Sequence, residues 1–283
     1  MSVKPFFDLA RASLSSIYAV SEAQEISFLL LNFLTGFSKT DILSEKSFLA
    51  FNEIEFNDLV SRLLKHEPIQ YVIGKAVFFG RDFLVTKNTL IPRPETEELV
   101  AIIIKENSLK SNLKILDIGT GTGCIPISLC LQMSDNEYFA IDISNDALAV
   151  AKQNAFALNA NIHLISADIL QIQKLTEEKF DIIVSNPPYV LESDKVEMDA
   201  NVLDFEPEMA LFVPDQNALL YYDAILRFSM HNLKVGGKVY FEIHEKKGQE
   251  MQQLMKKYHF YDTEIKNDFN NKARFAIATF TPQ

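Results

Sequence analysis

From Pro92 onward, short apolar runs alternate with stretches that fit helices, and this alternation restricts the fold more than any other feature of the chain. The apolar runs have the length and composition of buried strands. Strands that alternate with helices favour a parallel sheet with helices packed on both faces. The sequence therefore predicts an α/β fold for this part of the chain.

Seven segments in this region fit strands: Lys114–Asp117, Tyr138–Ile143, Ile162–Ser166, Asp181–Ser185, Lys238–Ile243, Tyr261–Lys266 and Arg274–Phe280. Helices fit between them, notably at Asp146–Leu158, Ala218–Leu233 and Gly248–Tyr258. Only the short segment DFNNKA separates the last two strands, so we expect them to run antiparallel. A seven-stranded, mostly parallel sheet with an antiparallel C-terminal hairpin resembles the Rossmann-like methyltransferase fold.

The first 75 residues differ, because their apolar residues repeat at three-and-four spacing and predict a small all-helical domain. The next segment, AVFFGRDFLV, has two apolar runs around a Gly-Arg-Asp turn and predicts a β-hairpin. We therefore expect a helical domain at residues 1–75, a hairpin linker at 76–92 and an α/β domain at 93–283.

The chain is acidic, with a formal net charge of −11 over 283 residues. Proteins that hold duplex nucleic acid usually present a basic patch to the phosphates, and here Lys and Arg are scattered. We expect no stable nucleic-acid partner. The longest apolar run, residues 28–34, is too short to cross a bilayer, so we expect no membrane partner either.

Cysteine and histidine usage indicates a reducing compartment. The two cysteines, Cys124 and Cys130, fall in one predicted helix at a spacing that puts them on different faces, so no disulfide is expected. The sequence has no CxxC or HxxxH spacing, and we expect no metal site. These features favour a cytoplasmic protein.

A glycine-rich turn joins the first strand of the α/β domain to a predicted helix. Its residues are Gly119, Thr120, Gly121, Thr122 and Gly123. Glycines at such a turn let the backbone pass close to a ligand and aim free N–H groups at it. The dinucleotide pattern GxGxxG needs its third glycine at position 124, where this chain has Cys124, so the match to a nicotinamide site is imperfect.

The next two strands each lead to a carboxylate, Asp142 and Asp168. Asp142 could accept hydrogen bonds from both hydroxyls of a ribose, and Asp168 could accept one from an adenine amino group. Ligands of open α/β sheets bind at the carboxyl edge of the strands, so the turn and the two acids together predict a nucleoside site. The alternative is an ordinary tight turn with two acids that cap helices or face solvent in loops.

The fourth strand leads into Asn186, Pro187, Pro188 and Tyr189. The Asn186 side-chain oxygen and the Pro187 carbonyl could each accept one hydrogen of a substrate NH2 group, while Tyr189 stacks on its plane. Such acceptors would expose the lone pair of an amide or aniline-like nitrogen to a sulfonium methyl group. An isolated motif of this kind would be a simple turn. At the end of the fourth strand it resembles the [Asn/Asp]-Pro-Pro-[Tyr/Phe] signature of amino-methyltransferases.

Longer segments resemble the release-factor glutamine methyltransferase family, also called PrmC or HemK. They are HEPIQYVIGKAVFFG (66–80), LIPRPETEELV (90–100), LDIGTGTGCIPISL (116–129), SNDALAVAKQNA (144–155) and VSNPPYV (184–190), with a looser match at EPEMAL (206–211) and YFEIHEKKGQ (240–249). The resemblance covers most of the chain. It implies a helical N-terminal domain, a hairpin linker and a Rossmann-like catalytic domain.

The resemblance also implies an activity: S-adenosylmethionine-dependent N5-methylation of the glutamine in the Gly-Gly-Gln motif of class I peptide chain release factors. Carried over by motif, the glycine turn and Asp142 would bind the cofactor, with Asp168 and Ile169 beside the adenine. Asn186 would contact both cofactor and glutamine, and residues 187–189 would shape the glutamine slot. We expect the enzyme to act as a monomer on its protein partner.

Three places depart from the family pattern. After EPEMAL this chain reads FVPDQNALLYY instead of a glycine-containing loop, residues 268–274 lack the glycine of Asp-x-x-Gly-x-x-Arg, and His244 stands where glycine is more usual. We expect altered loop shape and substrate contacts there. The acids of PRPETEE, which are Glu95, Glu97 and Glu98, are predicted to favour a helix N-terminus.

Two other functions fit parts of the pattern. A nucleic-acid adenine or guanine amino-methyltransferase would use the same loop on a flipped base, but the acidic charge disfavours it. A non-catalytic cofactor-binding or scaffold protein would not need the intact Asn-Pro-Pro-Tyr loop. The helical N-terminal domain is accordingly predicted to hold a protein substrate.

Overall fold

A computed structural model describes residues 2–48, 52–175 and 179–282 of the chain. The chain divides into two compact units: Met1–Lys75 with Met198–Phe205, and Ala76–Glu197 with Glu206–Gln283. The domain boundaries drawn from the sequence, at residues 75 and 92, stay a prediction.

The first unit is helical over its N-terminal part, as its apolar spacing predicts. It contains α1 (Lys4–Leu14), α2 (Val20–Thr35), α3 (Lys39–Leu43), α4 (Glu53–Leu63) and α5 (Ile69–Ile73). Asn52 begins α4 by accepting hydrogen bonds from Ile54 N and Glu55 N, and Gly36 ends α2 in the left-handed conformation. Buried apolar side chains from all five helices form one core, so this unit has a hydrophobic centre of its own.

The remaining elements follow in chain order. They are β1 (Lys75–Phe78), β2 (Arg81–Leu84), α6 (Pro94–Asn107), β3 (Lys114–Ile118), α7 (Cys124–Gln132), β4 (Glu137–Asp142), α8 (Asn145–Ala157), β5 (His163–Ser166), β6 (Phe180–Ser185), β7 (Val190–Leu191), α9 (Ala200–Leu203), β8 (Phe212–Val213), α10 (Leu220–Asn232), β9 (Leu233–Glu242), α11 (Gly248–Lys257), β10 (Phe260–Asn267) and β11 (Ala273–Phe280). Strands β1 and β2 pair with each other, as the predicted hairpin requires. Short 3-10 turns lie at Glu192–Glu197, Glu208–Ala210 and Asp215–Asn217.

The central sheet has seven strands in the order β10-β11-β9-β6-β3-β4-β5. Strand β11 runs antiparallel to both β9 and β10, and the other neighbouring pairs are parallel. The predicted fold class, the seven strands and the antiparallel C-terminal pair are therefore confirmed. The main difference is that β9 begins at Leu233, directly after α10, where the sequence predicts a start at Lys238.

Apolar residues alternate along the central strands and point to opposite faces of the sheet. Leu116, Ile183 and Phe241 pack in a core with α10 and α11. Ile115, Ile182 and Tyr240 pack in a second core with α6 and α7. The sheet is thus covered on both faces, and this leaves the carboxyl edge of the parallel strands as the place for a ligand.

Within the described ranges, no helix has both the length and the apolar character that a membrane span needs. The two cysteines are free thiols, with Cys124 buried and Cys130 partly buried.

Candidate active site

A cavity of about 300 Å³ opens at the carboxyl ends of the parallel strands. Its wall includes eight of the residues predicted from the sequence: Gly119, Gly121, Asp142, Asp168, Ile169, Asn186, Pro187 and Pro188. Residues that are distant from these in sequence also line the cavity, among them residues 87–90, Pro207, Met209, Ala210 and Tyr221. The predicted nucleoside site and the predicted acceptor loop therefore share one cavity.

Four other predicted residues are placed outside this lining by the structure: Thr120, Thr122, Gly123 and Tyr189. Thr120 and Thr122 are buried within the glycine turn. Gly123 begins α7 with φ of +78°, and a Cβ there would lie 3.0 Å from Ile127 Cδ1 and 3.2 Å from Ala151 Cβ. Gly123 thus permits close packing of α7 on α8, which is a structural need distinct from ligand contact.

The side chain of Asn154 ties the glycine turn to the hairpin. Its Nδ2 donates to the carbonyls of Thr122 over 2.9 Å and Leu84 over 3.0 Å, and its Oδ1 accepts from Leu84 N over 2.7 Å. Asn154 is only 2% exposed, so these bonds satisfy polar groups that water cannot reach. The hairpin of β1 and β2 therefore helps to fix the position of the glycine turn, part of which lines the cavity.

Asp142 ends β4 and holds the turn that faces the cavity. Its Oδ2 accepts a hydrogen bond from Gly121 N and its Oδ1 accepts one from Ser144 N, each over 2.9 Å. Burial raises the pKa of Asp142, whereas the hydrogen bonds from Ser144 N and Gly121 N act in the opposite direction. A carboxylate oxygen has two lone pairs, so each oxygen can accept one further hydrogen bond.

The sequence position of Asp168 allows either a ligand contact or a role in organising a loop, and the structure is compatible with both. Asp168 lines the cavity, and its Oδ1 also accepts from Leu170 N over 2.9 Å while its Oδ2 accepts from Gln171 Nε2 over 2.7 Å. Its carboxylate therefore organises the loop after β5. The predicted contact with an adenine amino group stays a prediction.

Asp117 is an acid near the site that was not predicted from the sequence. It lies on β3 immediately before the glycine turn and is fully buried. Burial raises the pKa of its carboxyl group to about 7, and the nearby charge of Asp142 adds to this effect. Its position two residues before Gly119 is the sequence feature from which it could have been predicted.

Asn186 is held by a residue from a different part of the chain. Its Nδ2 donates to Thr96 Oγ1 over 3.1 Å, and Thr96 Oγ1 donates to Glu242 Oε2 over 2.7 Å. Tyr189 reaches the same carboxylate, because its hydroxyl donates to Glu242 Oε1 over 3.0 Å. The predicted stacking of Tyr189 on a substrate plane stays a prediction, since its hydroxyl points to Glu242.

Glu242 is 1% exposed, so water does little to stabilise a charge on its carboxylate. Burial raises the pKa of Glu242, while the hydrogen bonds from Thr96 and Tyr189 and the charge of Arg274 act to lower it. The hydroxyl of Tyr222 donates to the Glu242 backbone carbonyl over 2.8 Å and fixes the end of β9. Neither Thr96 nor Glu242 was predicted, because their contact joins residues that are 146 positions apart.

The PRPETEE segment begins α6, with Arg93 at the N-cap and Glu95 and Glu97 in the first turn, as predicted. Its acids also make contacts that the sequence did not indicate. Glu97 Oε1 accepts from Phe79 N over 2.9 Å, and Glu98 Oε1 accepts from Phe269 N over 3.2 Å. These bonds attach the start of α6 to the hairpin and to the loop before β11.

The loops that depart from the family pattern are closed by local hydrogen bonds. Asp268 accepts from Asn270 N and Lys272 N and pairs with Arg274 over 3.1 Å. His244 Nδ1 accepts from Lys246 N over 3.1 Å, and burial lowers the pKa of this ring. The segment after EPEMAL forms β8 and leads to Tyr221, which lines the cavity.

In the described parts of the chain, no three Asp, Glu, His or Cys side chains gather as metal ligands do.

Two family models match the chain. Residues 109–276 match a methyltransferase domain, and residues 7–74 match the PrmC N-terminal domain. The first match spans the glycine turn, the Asn-Pro-Pro-Tyr loop and Glu242. The second lies within the helical N-terminal unit.

Curated relatives match over nearly the whole chain. A release factor glutamine methyltransferase of Flavobacterium psychrophilum is 43% identical, with 95% of each chain covered. One of Bacteroides thetaiotaomicron is also 43% identical, with 95% of this chain and 96% of the relative covered. Among solved structures, a methyltransferase from Pyrococcus furiosus aligns with a TM-score of 0.54 at 19% identity, covering 80% of this chain and all of that chain, which supports the fold alone.

Proposed function

The chain belongs to the release factor glutamine methyltransferases, and from this we propose that it methylates the glutamine of the Gly-Gly-Gln motif in class I peptide chain release factors. The acceptor atom is the side-chain nitrogen, N5, and the donor is S-adenosylmethionine. The observation that carries the proposal is that Asn186 and Pro187 share a cavity with the glycine turn and Asp142. One cavity thus combines a nucleoside-type site with acceptors for an NH2 group.

The residues of the cavity suit this donor. Gly119 and Gly121 let the backbone approach a ligand, and Asp142 retains a lone pair on each oxygen for ribose hydroxyls. Asp168 and the apolar Ile169 lie on the same wall for an adenine. A cavity of about 300 Å³ is at the lower end of the range for small-molecule sites. When bound, S-adenosylmethionine supplies an electrophilic methyl group on a sulfonium.

Asn186 and Pro187 supply the chemistry of the acceptor side. An amide nitrogen is a poor nucleophile because its lone pair is delocalised into the carbonyl group. The Asn186 side-chain oxygen and the Pro187 carbonyl can each accept one N–H of the glutamine and hold both hydrogens out of plane. As the nitrogen forms a bond to the methyl carbon, the bond from that carbon to the sulfonium sulfur would break, and S-adenosylhomocysteine would be the leaving product. The nitrogen would become more positive in this step, and both acceptors would stabilise that charge. One proton then leaves to solvent, since the methylated nitrogen is acidic and needs no strong base.

The helical N-terminal unit is proposed to hold the release factor. Support comes from its match to the PrmC N-terminal domain and from exposed apolar side chains on its helices, including Leu9, Phe33 and Ile54. The net charge of −11 supports a protein substrate and counts against a stable nucleic-acid partner. We further propose that the enzyme is a cytoplasmic monomer, in keeping with its two free cysteines.

The test is a methyl-transfer assay with labelled S-adenosylmethionine against purified class I release factors, their Gln→Ala variants, and duplex and single-stranded DNA. Label on the intact release factor that disappears with the Gln→Ala variant would support the proposal. Label on DNA alone would replace it with nucleic-acid methylation. Asn186→Ala is expected to abolish transfer, whereas Asn267→Ala, at an exposed position on β10, is the matched control and should retain it.

A further inference from the structure

Four polar side chains from three separate segments form one hydrogen-bonded series that ends at the acceptor loop. Tyr189 and Thr96 each donate a hydroxyl proton to Glu242, over 3.0 Å and 2.7 Å. Thr96 in turn accepts a hydrogen bond from Asn186 Nδ2 over 3.1 Å. Thr96 is 3% exposed and Glu242 is 1% exposed, so water does not compete for these bonds.

The direction of each hydrogen bond in this series follows from the role of the Glu242 carboxylate as an acceptor. Each oxygen of Glu242 accepts a hydroxyl proton, one from Thr96 and one from Tyr189, so the group acts as an ionised carboxylate, which can only accept. A threonine hydroxyl has a single proton, and once that proton is given to Glu242 only lone pairs remain for Asn186. Asn186 must therefore present its NH2 group to Thr96. Because the amide is planar, its oxygen then points away from Thr96, and among the described residues Oδ1 accepts no hydrogen bond.

We propose that Thr96 and Glu242 are positioning residues, which orient the Asn186 amide so that Oδ1, and not the NH2 group, meets the substrate nitrogen. This inference rests on the proposed function. A flipped Asn186 would set its own N–H donors against the N–H donors of the glutamine side chain. Without Thr96 and Glu242, both orientations of the amide become accessible, and only one of them is productive.

If Thr96 and Glu242 had only a structural role, they would hold α6 against β9. A second contact between the same helix and strand provides the comparison. At the other end of α6, the carboxylate of Glu106 accepts from the Tyr240 hydroxyl and from Lys238, each over 2.9 Å. Ten residues of helix separate Glu106 from Thr96, which is about 15 Å. Glu106→Gln therefore perturbs the same helix-to-strand contact without touching Asn186, and it is the matched control.

The experiment compares wild type with Thr96→Val, Thr96→Ser, Glu242→Gln and Glu106→Gln, in full-length protein with a class I release factor as substrate. Thr96→Val keeps the volume of the side chain but removes the hydroxyl, and should lower kcat by about 10- to 100-fold. Thr96→Ser restores the hydroxyl and should recover most of the activity. Glu242→Gln adds an NH2 donor and should also lower kcat, while Glu106→Gln should leave kcat within about twofold of wild type.

Binding of S-adenosylmethionine, followed by calorimetry, separates orientation from folding. The proposal expects a loss of kcat that is larger than any change in KM or in the Kd for S-adenosylmethionine. Equal kcat for wild type and folded Thr96→Val would overturn it, as would equal losses in Thr96→Val and Glu106→Gln. If Thr96→Val did not fold, retained kcat in Glu242→Gln would overturn it. Absence of transfer by wild type would instead refute the proposed function.

Discussion

The Arg93 guanidinium and the Glu206 carboxylate, 113 positions apart in the chain, meet over 2.6 Å beside the cavity. The Glu206 side chain is 1% exposed, and its second oxygen accepts from Ile91 N over 3.2 Å. The pair joins the segment before α6 to the segment that contains Pro207 and Met209. Because both segments line the cavity, this contact closes one side of the site.

Replacing Glu206 with alanine should destabilise the protein and loosen this side of the cavity. The change removes the partner of Ile91 N and of Arg93, which is one-third exposed and can partly recover its hydration. We expect a loss of about 1–3 kcal/mol in the free energy of unfolding, measured by urea denaturation. The control is Glu208→Ala, whose exposed pair with Lys195 should contribute less than about 1 kcal/mol. Equal losses in both variants would contradict the assigned role of Glu206.

Asp142→Asn should weaken the binding of S-adenosylmethionine. Asparagine has one acceptor oxygen in place of two, so it cannot hold both Gly121 N and Ser144 N and still serve two hydroxyls. We expect the Kd to rise by about 10- to 100-fold, which corresponds to about 1.4–2.8 kcal/mol. Isothermal titration calorimetry on folded protein measures this change, and an unaltered Kd would remove Asp142 from the binding site.

Glu106 should make the stability of the protein depend on acid pH. Burial opposes ionisation of this carboxyl, but hydrogen bonds from Lys266, Lys238 and Tyr240 outweigh it and lower its pKa from 4.5 to about 2. A folded-state pKa below the unfolded value means that the contribution is complete above about pH 4.5 and is lost as pH falls towards about 2. The stability difference between wild type and Glu106→Gln should therefore shrink between about pH 5 and 3. Urea midpoints across this range measure it, and a pH-independent difference would contradict the prediction.

Gly123→Ala should be more damaging than alanine at another glycine with positive φ. The new methyl group would approach Ile127 and Ala151 as well as strain the backbone, so we expect a loss of about 2–4 kcal/mol. Gly236 is the comparison, because its φ is +81° but a Cβ there meets nothing within 4 Å. Gly236→Ala should cost about 1 kcal/mol. Thermal or urea unfolding of the two variants distinguishes steric crowding from backbone strain.

The sequence predicted well those features that depend on local patterns. Seven strands, the antiparallel C-terminal pair and the cavity residues at strand ends all follow from runs of apolar residues and the residues that end them. Asp142 and Asn186 were predictable because Asp142 is the last residue of a buried strand and Asn186 directly follows one. In a parallel sheet, residues at such positions meet at one edge whatever the details of packing.

Features that depend on long-range side-chain contacts were not predictable. Nothing near Thr96 indicates that its hydroxyl will meet Glu242, and nothing near Glu206 indicates a partner at Arg93. Tyr189 illustrates the same limit, since its place in the motif suggested a substrate contact while its hydroxyl bonds to a buried acid. Packing of helix α6 against β9 brings Thr96 to Glu242, and that packing is a property of the whole domain.

The order of strands in the sheet also has a consequence for proteolysis of the chain. Strand β11 follows β10 in the sequence, yet it lies inside the sheet between β9 and β10. A chain that lacks the residues from Ala273 onward leaves β9, the strand that carries Glu242, as an open edge with unpaired backbone groups. A proteolytic cut near residue 272 therefore separates an interior strand from the rest of the sheet.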